Sequence, residues 1–173
     1  MKSEILKCVE HYNNSCTKIL KDFAPEYYVV QKNVKVDWAT SRSTHRGGLY
    51  AKGPGMNLAG NSFLTFINSF KKHGIVYFRE YKSYEKDPII GSAFADKWET
   101  YVGLVVGHEA SHAAQFYIES VRKLPRSAPH GPMFKKIYTM IRRELNKELP
   151  DQLIEQKKYQ DLLKSIRKIE YVI

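Results

Sequence analysis

The chain has 173 residues, 43% hydrophobic and 13% aromatic, which is enough to bury one core without a disulfide staple. Its net charge of +10 points to an anionic partner or a strongly solvated basic face. No apolar run approaches the ~20 residues of a spanning helix, and the start MKSEILKCVEHY lacks the apolar stretch of a signal peptide, so neither a membrane-spanning helix nor secretion is expected.

Taken in chain order, residues 3–23 place Ile5, Val9, Tyr12, Cys16, Ile19, Leu20 and Phe23 on one stripe and predict a helix. Cys8 and Cys16 then stand about 12 Å apart along it, too far for a disulfide. Reduced thiols predict an intracellular setting, cytoplasmic or nucleoid/nuclear. Residues 33–40 alternate, with Val34, Val36 and Trp38 on one face, and predict a strand. Residues 48–59 predict a second and third strand joined by a turn at Gly53-Pro54-Gly55. A helix is expected over 61–72, with Phe63, Phe66, Ile67 and Phe70 inward. A strand over 74–81 follows, then a loop over 82–94 punctuated by Asp87-Pro88 and Gly91. A long helix is predicted from about 96 to 122. Two basic amphipathic helices come next, over 132–148 and 152–170, parted by Pro150-Asp151. A helix, a small mixed sheet and a long buried helix make an α+β domain over 1–150, with 151–173 as an appended basic helix.

The long predicted helix carries the chemistry. Residues 108–112 read HEASH, and eighteen positions beyond His112 comes His130 in APHGPMF. Four residues apart on a helix, His108 and His112 lie about 40° around the axis and roughly 6 Å along it, so both rings reach one ion from one face. Glu109 sits beside that ion. A zinc hydrolase needs neutral nitrogen ligands, an open position and a carboxylate that takes the proton of a water. The structural alternative is a helix with two partly buried histidines. Against it stands the apolar run from Tyr101 to Gly107, because two histidines and a glutamate buried there are expensive without a pairing group. The polar loop 123–129 spans up to about 23–25 Å when extended, enough to bring His130 back as third ligand. Glu119 lies roughly 10 Å along the helix from His112, too far for the same ion.

HEASH followed by APHGPMFKKIYTMI resembles the SprT-like family of metallopeptidases, whose members carry HExxH and then a third histidine in an HGxxF/W segment. The stretch SRSTHRGGLYAKGPGMNLA is similar to that family's strand pair. The resemblance covers about residues 1–150 and is strongest over 105–134. It implies a zincin-like minimal metallopeptidase domain holding one zinc ion on His108, His112 and His130, with Glu109 as general base. It also implies a protein substrate, since relatives that include the Spartan proteases degrade DNA–protein crosslinks. The zinc ribbon that many relatives carry is absent, because no cysteine follows Cys16, and the loop to His130 is longer than the family's.

Tyr138, His45 and Arg46 are candidates for a second electrophile. The substrate peptide is expected to add to a sheet edge, with 56–59 and 75–81 as the candidate edges. The charge excess lies late in the chain. From Arg122 onward there are thirteen Lys/Arg against six Asp/Glu, which makes Arg142, Arg143, Lys157 and Lys158 candidates for phosphate contacts with DNA. Three functions remain open. They are a DNA-associated zinc protease, a zinc peptidase with a specific protein target and no nucleic-acid role, and a non-catalytic zinc-stabilised binding module. An intact Glu109 weighs against the last, because a structural zinc site needs no base.

Overall fold

Apolar residues at helical spacing bury one stripe of α1 (Lys2–Phe23), formed by Ile5, Val9, Tyr12, Cys16 and Leu20. Our computed structural model describes residues 1–25, 33–39, 45–50, 53–74, 76–78, 93–95 and 97–148. After α1 come β1 (Asn33–Asp37), β2 (Arg46–Tyr50), β3 (Gly53–Ala59), α2 (Gly60–His73), β4 (Val76–Phe78), β5 (Ala93–Ala95), α3 (Trp98–Val121) and α4 (Pro132–Glu148). Among the described residues the fold is mixed α+β, with four helices and a small three-stranded mixed sheet, and β4 and β5 form a separate antiparallel pair. The predicted helix over 152–170 lies outside the described residues.

Strand order in the larger sheet is β1-β3-β2, with β1 parallel and β2 antiparallel to β3. Two expectations change here. Gly53, Pro54 and Gly55 are the start of β3, paired with Tyr50, Leu49 and Gly48, and not a turn. Proline is tolerated because the parallel ladder with β1 begins one residue later, at Gly55, so Pro54 has no donor to supply on that side. Residues 93 and 94, expected at the end of a loop, belong to β5, which pairs with 76–78.

Helix α3 is the axis of the molecule. It is buried continuously from Thr100 to Gln115, with α1 and α4 packed along it and β2 and β3 laid across it. Its small residues set these distances. A Cβ on Gly103 would stand 2.9 Å from the Tyr12 ring, and Ala110, Ala113 and Ala114 are fully buried. Helix α2 closes the other side of the core through Phe63, Phe66 and Ile67, each worth about 1.5–3 kcal/mol of apolar burial. The Phe66 ring stacks on Tyr101 of α3 at 3.6 Å between centroids. At the end of α2, Gly74 takes the left-handed conformation (φ 76°) and returns its N–H to the Phe70 carbonyl. Among the described residues no helix is long and apolar enough to cross a membrane. Cys8 and Cys16 form no disulfide with each other, as the helical spacing requires.

Candidate metal centre

The chain after α3 is shaped by two tight backbone reversals. Arg122 caps the helix, and Lys123 takes φ 53° where a glycine is more usual. Its N–H bonds to the Ser120 carbonyl and that of Leu124 to the Glu119 carbonyl, which is the Schellman pattern. The second reversal is Ala128-Pro129-His130-Gly131, closed by the Gly131 N–H on the Ala128 carbonyl at 2.9 Å. Proline at the second position and φ 61° at His130 follow the pattern of a type II turn. Helix α4 then starts on Pro132, where a missing N–H costs nothing.

These two reversals bring His130 to His108 and His112. The three Nε2 atoms form a near-equilateral triangle with edges of 3.2, 3.0 and 3.1 Å. Each Nε2 has a single in-plane direction, filled by a hydrogen or a lone pair, so at most one edge can be a linear hydrogen bond. Three ligands at roughly 2.0–2.1 Å from a tetrahedral ion would stand about 3.3 Å apart, close to the observed spacing. The donor set therefore fits one metal ion, and the three histidines lie close enough to hold it. Glu119 is outside the group, as the helical rise predicts. Burial first, then the neighbouring His108 and His130, pushes the His112 pKa down to about 2, so this ring stays neutral as a ligand must. Phe134 explains the aromatic four residues past His130. It is fully buried, its ring stacked on His112 at 4.3 Å and set edge-on to His130 at 4.8 Å.

Glu109 is buried and its Oε2 accepts a short hydrogen bond from the Gly47 N–H of β2. A side chain at Gly47 would drive its Cβ into the Glu109 carbonyl oxygen, so only glycine permits this approach. Gly47 is a residue that the pattern of the sequence did not single out as functional. The Gly47→Ala protein should separate β2 from α3, lose at least ~3 kcal/mol of stability and lose the orientation of Glu109. Chemical denaturation checks this expectation, and a parental midpoint would show that the contact is dispensable.

The candidate electrophiles part company. His45 is half-buried, accepts the Ala59 N–H on Nδ1 at 3.2 Å, and is held neutral by the burial of its ring and by His108, which lower its pKa to about 4. Tyr138 is fully buried, its ring edge-on to His108 and its hydroxyl accepting from Arg142 at 2.8 Å. Arg46 is exposed on β2.

Two site expectations are corrected. Segment 56–59 is no edge, because β3 lies between β1 and β2. The edge beside α3 is β2, and next to it runs a groove of about 670 Å³ lined by Arg46, Gly48, Tyr50, Phe116, Leu124 and Arg126. Arg142 is not on a solvated face. It is 8% exposed and bonded to Tyr138, because it stands one turn beyond that residue on the apolar side of α4. Arg143 is exposed and lines a second groove with Lys135, Lys136, Phe23 and Met140. Lys157 and Lys158 lie outside the described residues.

No profile of a known protein family, no characterised protein and no solved structure matches this chain.

Proposed function

We propose that the protein is a zinc-dependent metallopeptidase of zincin-like architecture, with Glu109 as general base, acting on proteins associated with DNA. The observation that carries this reading is the convergence of three imidazoles beside a buried carboxylate that the same helix supplies and Gly47 orients. When bound, a zinc ion would polarise a carbonyl and acidify water. His108, His112 and His130 would hold it. Glu109 would take the proton of the attacking water and deliver it to the leaving amine. Among the described residues no strand covers the outer side of β2. The Gly47 N–H is taken by Glu109, and the alternation of an antiparallel pair would turn the backbone groups of Leu49 toward that same outer side. An extended substrate pairing with this edge would lie across α3 beside the histidines, held by main-chain bonds with little sequence preference. A carboxylate kept beside the ligands supports catalysis over a purely structural metal, whose site would be closed. Hydrolysis of an unfolded protein substrate, measured with and without DNA, tests the reading. Metal-loaded protein that cleaves nothing would overturn it.

The nucleic-acid part rests on the basic charge beyond residue 122 and on the exposed Lys136 and Arg143 with Lys135 beside them. Inward-facing Arg142 subtracts one charge from that surface and favours, to that extent, a peptidase with no DNA role. Binding to duplex DNA should fall with salt at a log–log slope near −0.9 per phosphate contact. Reversing Lys135, Lys136, Arg143, Lys157 and Lys158 to glutamate should weaken it for all sequences alike and leave free-peptide cleavage intact. Parental DNA affinity in that variant would leave the peptidase without a nucleic-acid role as the better reading.

A further inference from the structure

On α3 the face that bears His108 and His112 continues through Gln115 and Glu119, spaced three and seven residues past the second histidine. Both are polar, and both are buried, Gln115 completely and Glu119 to 4% exposure. Neither touches the metal site. They bind instead the loop that delivers the third histidine. Glu119 Oε1 accepts the Ser127 N–H at 3.3 Å, a short bond from the Ser127 hydroxyl, and the Gln115 amide at 3.2 Å. The two N–H groups of the Gln115 amide are shared between that oxygen, Ser127 Oγ at 2.7 Å and the Ala128 carbonyl at 3.2 Å. That carbonyl closes the turn in which His130 takes its left-handed backbone.

We infer that Glu119 and Gln115 form a latch that positions His130, making the metal affinity of the site depend on a buried carboxylate eleven residues past His108. A histidine in a surface loop would lose ordering entropy each time it bound an ion. The latch removes that cost by tying both Ser127 and Ala128 to the rigid helix that already carries two ligands. A buried carboxylate is costly in itself; here Oε1 gathers three donors from the loop and the helix, while Oε2 is buried without one. Glu119, Gln115 and Ser127 are thus positioning residues, acting on the ion only through His130. The inference rests on the reading of the three histidines as metal ligands.

Competition of the full-length protein with a chelator for Zn²⁺, and the d–d spectrum of the Co²⁺ form, test it. Glu119→Ala should weaken Zn²⁺ binding by about 10–100-fold, the range for partners that orient a ligand, and should alter the Co²⁺ spectrum. Glu119→Gln keeps an acceptor for Ser127 and should recover most of that loss. His130→Asn suits the left-handed backbone but removes the ring, and in that background Glu119→Ala should cost less than about twofold. A structural role would lower affinity equally in both backgrounds, and that result overturns the latch, as does parental affinity in Glu119→Ala. If Glu119→Ala does not fold, Ser127→Ala enters the same cycle with the same criterion. Should His130→Asn alone bind Zn²⁺ as the parent does, the metal reading itself fails. Loss in His130→Asn with no effect of the latch variants removes only the latch.

Discussion

Replacing His130 by asparagine should lower zinc affinity by about two to three orders of magnitude and leave the fold standing. Apparent zinc binding energies of ~10–16 kcal/mol shared over four ligands give roughly 2.5–4 kcal/mol for each, and each 1.4 kcal/mol is tenfold. The three Nε2 atoms lie 3.0–3.2 Å apart, so removing one leaves two nitrogens on a single helix turn and opens the site. Asparagine tolerates the left-handed backbone at this turn, where φ is 61°. His108→Ala and His112→Ala should lose as much affinity, with a further cost in packing because both rings are buried, His112 against Phe134. Metal analysis after gel filtration reads the outcome. Full occupancy in His130→Asn would show that residue to be a loop histidine and nothing more.

Glu109→Gln should reduce peptide hydrolysis by about 10²–10⁴-fold, the usual contribution of a positioned general base. The amide keeps the size of the side chain and can still present an oxygen to the Gly47 N–H, so β2 stays seated on α3. It cannot take a proton at neutral pH. Zinc content and thermal stability should therefore match the parent while kcat falls and KM changes little, because the lost interaction belongs to the transition state. Equal kcat in the two proteins would remove Glu109 from the chemistry.

The spacing of His108, His112 and His130 was legible because a helix repeats every 3.6 residues and because a chain of seven loop residues has a fixed reach. The boundaries of α1, α3 and α4 followed from the same periodicity and from Pro132. What stayed hidden were contacts between segments far apart in the sequence. Gly47 resembles any turn glycine until β2 is laid on α3, sixty-two residues away, and its N–H meets Glu109. Gly53-Pro54-Gly55 carries turn composition, yet tertiary pairing with β2 makes it a strand, and local propensity cannot see that partner. Arg142 was readable in principle. It follows Tyr138 by four residues on an apolar stripe that includes Phe134, Ile141 and Leu145, whereas its neighbour Arg143 lies about 100° further round and is exposed. Gln115 and Glu119 were likewise visible as a continuation of the histidine face, but their role depends on where Ser127 returns.

Metal removal and return test the central claim most directly. The protein is stripped with chelator, dialysed and titrated with Zn²⁺ while cleavage of an unstructured polypeptide is followed. The account predicts that cleavage disappears on stripping, returns in proportion to added zinc and saturates near one equivalent, the capacity of a single three-histidine site. Undiminished cleavage by the metal-free protein, or zinc-loaded protein no more active than Glu109→Gln, would contradict it.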